Sequence, residues 1–194
     1  MNILLLGPQG SGKGTQATRL AETYGLAHVS TGDMIRQMKE LDTPAGRELK
    51  EVYDRGDLVS DDLMIRLMRE RLDRGDTMPG VVFDGFPRTL AQAEALDEVF
   101  TDLGRQLDIV FELQVPERAQ LLERLLKRAA EENRTDDTPE AIQRRLETYD
   151  RETAPLVEYY RTSRGNVVGL HADRSIGEVF HEIQEALSAV EARA

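Results

Sequence analysis

The sequence predicts one α/β domain built on a parallel β-sheet with helices on both faces. Three observations predict it: short apolar segments recur along the chain, helical patterns separate them, and a glycine-rich turn follows the first segment. Continuous apolar segments are typical of strands that are buried on both faces, as in parallel sheets. Strands that alternate with helices form βαβ units with right-handed crossovers. The length of 194 residues fits about one domain.

The predicted strands and helices follow one another along the whole chain. The strands are predicted at residues 2–6, 27–30, 81–84, 109–115 and 166–171. Between and after them, apolar residues recur with the helical period of about 3.6 residues. These helices are predicted at residues 12–24, 60–74, 89–103, 116–130, from 138 onward, and 175–190.

Glycine and proline residues indicate where these helices begin and end. Gly25, Gly75 and Gly104 each follow a helical pattern and predict a C-terminal stop. Pro116 is expected in the first turn of its helix, where the missing N–H has no partner in any case. Pro155 is expected to break or kink the helix that starts near residue 138.

Two segments have no strand pattern and are expected outside the sheet. Residues 32–59 contain two short helical patterns on either side of Thr43-Pro44. Residues 131–138 form a polar run without periodicity. Both are candidates for mobile elements attached to the core.

The charge and the absence of cysteine exclude several classes of protein. The chain has 25 basic and 36 acidic residues, a formal net charge of −11, which argues against broad contact with nucleic acid or an anionic membrane. Without cysteine there is no disulfide framework, no zinc-thiolate site and no thiol nucleophile. No apolar run reaches the length of a membrane span. We therefore expect a soluble, cytoplasmic protein.

A phosphate-binding loop is predicted at residues 7–15, with the sequence GPQGSGKGT. It follows a strand, opens a helix, and fits the pattern G-x-x-x-x-G-K with Gly7, Gly12 and Lys13. In such loops the backbone N–H groups surround phosphate oxygens, the lysine adds a positive charge, and a hydroxyl faces Mg²⁺. Here Gly14 follows the lysine, and the hydroxyl comes one residue later at Thr15.

Two other interpretations of this loop are open. The dinucleotide pattern G-x-G-x-x-G would start at Gly10 and would need glycine where Thr15 stands. Asp33 lies about 20 residues further on, where a ribose-binding acid is expected, but it fits a helix start better. The loop could also be a glycine-rich turn without a ligand.

Four motifs make the sequence similar to the adenylate kinase family. They are the loop at 7–15, S-T-G-D at 30–33, D-G-F-P-R at 84–88 and R-T-D-D at 134–137. The similarity extends from residue 1 to about residue 173, and the block at 84–88 is specific to nucleoside monophosphate kinases. The resemblance implies a P-loop three-layer sandwich with a five-stranded parallel sheet. It divides the chain into a core at 1–29, 60–127 and 139–194, an AMP-binding arm at 30–59 and a short lid at 128–138.

The reaction that the resemblance implies is reversible, Mg²⁺-dependent transfer of the terminal phosphoryl group of ATP to AMP, which gives two ADP. The transfer is in line and has no covalent enzyme intermediate. Such chemistry needs positioning and charge neutralisation, for which arginine is suited, and 21 of the 25 basic residues are arginine. The ligands that the resemblance implies are ATP, AMP, ADP and Mg²⁺, without zinc. A monomer is the default expectation because no long apolar patch stands out, and the net charge predicts no nucleic acid or membrane partner.

The resemblance also implies site residues. ATP is expected to bind Gly10, Ser11, Gly12, Lys13, Gly14, Thr15, Arg124, Arg128 and Arg174. AMP is expected to bind Thr31, Arg36, Asp57, Leu58, Val59, Gly85, Phe86, Pro87, Arg88, Gln92, Arg134 and Arg145. The implied catalytic residues are Lys13, Asp84, Arg88, Arg128, Arg134 and Arg145. Mg²⁺ is expected near Thr15 and Asp84, held through phosphates and water.

Spacing alone allows simpler roles for some of these residues. Arg124 and Arg128 lie four residues apart and could form a solvated helix face, paired with Glu123 or Glu131. Asp84 could be a structural cap before a turn. The acidic pair at 61–62 is interpreted as helix-start acids. The pair at 136–137 is interpreted as a cap and tether for the lid. His28, His171 and His181 do not have metal-ligand spacing.

Two other functions stay open at this point. A kinase of UMP or CMP would share the architecture, although Thr31 and Gln92 favour AMP. A P-loop module that binds nucleotide without transferring phosphate would not need the motif at 84–88 or the set of arginines. The sequence departs from the family near the last strand, where Arg174 and not glycine follows Asp173.

Overall fold

A five-stranded parallel sheet forms the centre of the computed structural model, which describes residues 1–132 and 136–191. The strands are β1 (Asn2–Leu6), β2 (Ala27–Ser30), β3 (Val81–Asp84), β4 (Ile109–Gln114) and β5 (Val167–His171). Their order is β2-β3-β1-β4-β5, and every neighbouring pair is parallel. The predicted fold class is confirmed.

The helices of the described residues connect and cover these strands. They are α1 (Lys13–Tyr24), α2 (Thr31–Lys39), α3 (Pro44–Asp54), α4 (Asp61–Leu72), α5 (Leu90–Asp102), α6 (Arg118–Glu131), α7 (Pro139–Thr148), α8 (Pro155–Ser163) and α9 (Ile176–Glu191). A 3₁₀ turn at Gly75–Thr77 follows α4, and a π-helical turn at Tyr149–Thr153 separates α7 from α8. The predicted break at Pro155 is confirmed, and Pro155 is the first residue of α8.

Alternate residues of the buried strands enter two different hydrophobic clusters. In β1, Leu4 and Leu6 belong to a cluster with residues of α4, α5 and α8. Ile3 and Leu5 belong to a second cluster with residues of α1 and α9. Strand side chains alternate between the two faces of a sheet, so these clusters are the two cores of a three-layer sandwich. A third, smaller cluster joins α6 to α7 through Leu121, Leu125, Ile142 and Leu146.

Two predicted helix ends are wrong, and a hydrogen bond explains each of them. The carbonyl of Gln114 accepts a hydrogen bond from Ala172 N–H at 2.8 Å, which keeps the chain extended at the end of β4. Helix α6 consequently begins at Arg118, and Pro116 lies before it. Helix α4 ends at Leu72 without a left-handed glycine. The hydroxyl of Thr77 donates to the carbonyl of Leu72 at 2.7 Å, so a side chain satisfies this helix end.

The sheet brings the carboxyl ends of β1 and β3 together, with Leu5 paired with Asp84. In open parallel sheets, ligands bind beyond the carboxyl ends of strands at such a point. Among the described residues, no helix combines the length and the apolar character that crossing a membrane requires.

Candidate active site

The loop between β1 and α1 has the geometry of a phosphate cradle. Gly12 stands at the N-cap of α1 with φ 94° and ψ 8°, a left-handed conformation that favours glycine. The first N–H groups of α1 have no partner within the helix and can bind an anion. Lys13 Nζ donates to the carbonyls of Gly7 at 2.6 Å and Pro8 at 2.9 Å, which holds the ammonium group against the loop.

Two cavities lie beside this loop and contain nearly all of the predicted site residues. The larger, of about 800 Å³, is lined by Gly10, Ser11, Gly12, Lys13, Gly14, Thr15, Arg36, Asp84, Gly85, Pro87, Arg88, Arg124, Arg128, Arg145 and Arg174. The smaller is lined by Thr31, Asp57, Leu58, Val59, Gly85, Arg88, Gln92 and Arg145. Because Gly85, Arg88 and Arg145 line both, the two cavities adjoin.

Two predicted residues are not placed in either cavity. Phe86 is 1% exposed, and its side chain packs in the hydrophobic cluster that contains α4 and α5. Arg134 lies outside the described residues.

Several cations of the larger cavity have no carboxylate partner. Within residues 1–132 and 136–191, Lys13, Arg88 and Arg124 make no ion pair. Arg88 Nε donates to the carbonyl of Gly85 at 2.7 Å, and Arg124 Nη1 donates to that of Ala172 at 2.8 Å. Burial lowers the pKa of Arg88; Tyr53 and Asp84 oppose this shift, while Arg145 and Arg36 reinforce it. The cavity therefore carries positive charge that an anion can neutralise.

The simpler interpretation of Arg124 and Arg128 does not hold. Neither pairs with Glu123 or Glu131. Arg128 Nη2 instead donates to Asp137 Oδ2 at 2.6 Å. Arg124 thus points toward the loop and Arg128 toward Asp137, and neither points toward solvated acids on their own helix.

Lys13 is a half-buried cation that lies among other cations. Its burial lowers the pKa to about 8; Asp84 opposes this shift, while Arg88 and Arg128 reinforce it. A phosphate anion next to Nζ favours the charged form and so raises this pKa. Binding of a phosphate chain and protonation of Lys13 are therefore coupled.

We expect nucleotide binding to take up a proton above pH 8. The terminal phosphate, with a pKa of about 6, is already ionised there, so Lys13 is the group that gains the proton. Uptake should reach about half a proton per ADP near pH 8 and fall almost to zero at pH 7. Titration calorimetry in two buffers of different ionisation enthalpy measures it.

The control for proton uptake is Lys13→Arg, because an arginine side chain stays charged throughout this pH range. Uptake that is equal at pH 7 and pH 9, or that persists in this variant, would show that another group binds the proton.

Asp136 and Asp137 hold the arginines of α6 and α7 in place. Arg145 Nη1 donates to Asp137 Oδ1 at 2.6 Å, and its Nη2 donates to Asp136 Oδ2 at 3.1 Å. The Asp137 side chain is fully buried and also accepts from Arg128. The acidic pair therefore orients two predicted catalytic residues in addition to tethering the chain.

Replacing Asp137 with asparagine should lower the free energy of unfolding by about 3 kcal/mol, because two arginines lose a buried counter-charge. Urea unfolding at pH 7 measures the change. Glu123→Gln on the exposed face of α6 is the matched control and should change stability by less than about 0.5 kcal/mol. Equal stability of the two variants would contradict the buried network.

The shape of the smaller cavity requires a glycine at position 85, between the side chains of Thr31 and Arg88. Thr31 Oγ1 donates to the carbonyl of Gly85 at 2.8 Å. Gly85 has φ 82°, and a Cβ atom there would lie 2.7 Å from Thr31 Oγ1 and 3.0 Å from Arg88 Nη2. Glycine thus allows the threonine of α2 and the arginine that follows β3 to approach each other.

Tyr53 and His28 line the larger cavity, although no sequence motif predicted them as site residues. The Tyr53 hydroxyl accepts from Arg36 Nη1 at 2.9 Å, and the Arg145 guanidinium lies 5.0 Å from the centre of the tyrosine ring. His28 Nε2 lies 4.0 Å from Asp84 Oδ2. The long-range fold creates both contacts, so spacing along the chain could not reveal them.

Taken together, a phosphate cradle at the end of a parallel sheet and unpaired cations around adjoining cavities define a P-loop enzyme that acts on phosphorylated nucleotides.

The chain belongs to the adenylate kinase family. The family model described as adenylate kinase matches residues 5–165. The adenylate kinase of Xanthomonas euvesicatoria pv. vesicatoria (strain 85-10) is 44% identical over 187 residues, which cover 96% of this chain and 99% of the relative. The adenylate kinase of Stenotrophomonas maltophilia (strain K279a) is 43% identical over 189 residues, 97% of this chain and 100% of the relative. The resemblance based on the four motifs is confirmed, and with it the class of phosphotransferase.

Proposed function

We propose that this protein catalyses the reversible, Mg²⁺-dependent transfer of the terminal phosphoryl group of ATP to AMP, which gives two ADP. The observation that carries the proposal is that Lys13, Arg88 and Arg124 surround one cavity without a carboxylate partner in the described parts of the chain. All three are half-buried, and cations that are partly withdrawn from water are costly unless a negative group neutralises them. Two phosphate chains that meet end to end supply that charge.

The adjoining cavities support a separate place for each nucleotide. The phosphates of ATP lie in the loop at 7–15, with Arg124, Arg128 and Arg174 along the same cavity. AMP lies where the two cavities meet, and its base points toward Thr31 and Gln92, which line the smaller cavity. Arg88 and Arg145 line both cavities, so they are suited to contact the phosphate that passes between the nucleotides.

Positioning and charge neutralisation are sufficient for this reaction. An oxygen of the AMP phosphate attacks the terminal phosphorus of ATP while the bond from that phosphorus to the bridging oxygen breaks. The attacking oxygen is already ionised, so no general base is needed. Lys13, Arg88, Arg128 and Arg145 neutralise charge on the group in transfer. We assign Arg134 the same role from the family motif.

The residues near the loop fit a Mg²⁺ ion that arrives with ATP. The Asp84 carboxylate and the Thr15 hydroxyl line the larger cavity and offer oxygen donors, which Mg²⁺ prefers. A Cβ on Gly14 would lie 3.3 Å from Asp84 Oδ2, so glycine keeps this side of the carboxylate open. When bound, Mg²⁺ neutralises charge on the ATP phosphates.

We assign residues 30–59 to an arm that closes over AMP and residues 128–138 to a lid that closes over ATP. Arg145 of the core joins the arm to the lid and so supports a coupled movement: its Nη2 donates to the carbonyl of Tyr53 at 3.1 Å and to Asp136 Oδ2 at 3.1 Å. Closure would exclude water and so prevent hydrolysis of ATP. Hydrogen exchange with and without a bisubstrate analogue tests it.

An assay of AMP, CMP, UMP and GMP with Mg·ATP tests the proposal. We expect AMP to give the highest kcat/KM for ADP formation. Higher turnover with CMP or UMP would instead indicate a pyrimidine nucleotide kinase. Hydrolysis of ATP without AMP-dependent formation of ADP would indicate a nucleotide switch. Sedimentation in the same buffer tests the predicted monomer.

A further inference from the structure

The Gln92 side chain is held at both ends of its amide group. Its Nε2 donates to Asp61 Oδ1 at 2.7 Å, and its Oε1 accepts from the backbone N–H of Arg88 at 2.9 Å. The hydroxyl of Thr89 also donates to Asp61 Oδ1, at 3.0 Å. Gln92 is only 2% exposed, so water does not compete for these bonds.

The chemistry of the two partners allows one orientation of this amide. The nitrogen and oxygen of a glutamine amide have nearly the same shape, so shape alone does not fix them. A carboxylate only accepts hydrogen bonds, and a backbone N–H only donates. A flipped Gln92 would set its oxygen against Asp61 and its nitrogen against the N–H of Arg88. Both contacts would be repulsive.

The fixed amide keeps one donor and one acceptor for a ligand. Nε2 has a second hydrogen and Oε1 has a second lone pair. Gln92 lines the smaller cavity, which at about 20 Å³ has room for one water molecule, so the edge of a base reaches these groups when the cavity opens. A 6-amino purine offers a ring nitrogen that accepts beside an amine that donates, which matches the pair. A 6-oxo purine offers a ring N–H beside a carbonyl, so like groups would face each other.

We infer that Asp61 is a positioning residue that makes the acceptor site select 6-amino over 6-oxo purine nucleotides, by holding Gln92 in one orientation. Asp61 lines neither cavity and so acts through Gln92. The inference rests on the proposed function, because it concerns the base of the acceptor nucleotide.

The comparison of AMP with IMP isolates this effect, because the two nucleotides differ only at the 6-substituent and the protonation of the adjacent ring nitrogen. We expect Asp61→Asn to lower the ratio of kcat/KM for AMP to kcat/KM for IMP by about tenfold. Gln92 Nε2 would lose its hydrogen bond to a charged acceptor, and the asparagine could donate a hydrogen bond to the oxygen of a flipped Gln92. The KM for ATP should not change. Asp62→Asn, at the next position of α4, is the matched control and should keep the wild-type ratio.

A double-mutant cycle separates positioning from a general structural role. Gln92→Ala should itself lower the AMP-to-IMP ratio, and Asp61→Asn should then lower it no further. If Asp61→Asn does not fold, Asp61→Ser takes its place, because serine can also donate and suits the start of a helix. Thermal unfolding of each variant shows whether it is folded.

The outcomes distinguish this inference from the function on which it rests. A wild-type protein that forms no ADP from AMP would overturn the proposed function. A wild-type protein that prefers AMP to IMP, with the ratio unchanged in Asp61→Asn, would overturn the inference alone. An equal fall of the ratio in the wild-type and Gln92→Ala backgrounds would also overturn it, because Asp61 would then act without Gln92.

Discussion

Replacement of Lys13 by methionine is expected to lower kcat for ADP formation by about 10³-fold, because the loop loses the positive charge that it presents to the transferring group. Methionine has a similar length and keeps the contacts of the side-chain stem. The substitution therefore removes the charge with little change of shape. A coupled assay of ADP formation, with saturating ATP and AMP, measures the loss.

The same substitution should not destabilise the protein at pH 7. Burial lowers the pKa of Lys13 from 10.5 to about 8, so the charged lysine opposes folding below pH 8. Between pH 8 and 10.5 the unfolded chain binds this proton and the folded protein does not. The wild type should therefore gain stability relative to the methionine variant as the pH rises through that window. Urea unfolding at pH 7 and pH 9.5 measures the difference.

Lys50→Met is the matched control for these experiments. Lys50 is half-exposed on α3, where it pairs with Asp54 at 3.1 Å, so kcat should stay within about twofold of the wild type. A Lys13→Met enzyme that is as active as this control would remove the loop lysine from the mechanism.

Local patterns were sufficient to predict the sheet and the loop. The buried residues of β1 lie next to one another in the sequence, and so do the glycines and the lysine of the loop. Each signal comes from a few adjacent residues. The predicted fold and family were therefore correct without knowledge of any long-range contact.

Contacts between distant segments could not be predicted in the same way. Pro116 has the sequence signal of a helix start, but pairing of Gln114 with Ala172 keeps the preceding chain extended. Asp61 has the signal of a helix-start acid, and it does start α4, yet its carboxylate also binds Gln92 from a different helix. A single local signal is thus compatible with two roles, and only the folded structure shows the second.

Arg88→Ala is expected to lower kcat/KM for AMP by about 10³-fold and to change the KM for ATP much less. Arg88 lines both cavities and has no carboxylate partner in the described residues, so its charge is available to the phosphates. Arg88→Lys should retain part of the activity, because lysine keeps the charge but lacks the forked geometry of the guanidinium. Steady-state kinetics with each nucleotide varied in turn separates the two effects.

The effect of Arg88→Ala on stability distinguishes a functional cation from a structural one. Burial lowers the pKa of Arg88 and outweighs the opposing effects of Tyr53 and Asp84, so the charge of Arg88 opposes folding of the free protein. A structural arginine would instead stabilise the fold through its partners. We therefore expect Arg88→Ala to unfold at a urea concentration no lower than that for the control Arg161→Ala. Arg161 lies on the exposed face of α8, so this control should keep full activity. A marked loss of stability together with normal kcat/KM for AMP would show that Arg88 holds the fold together and does not bind the acceptor phosphate.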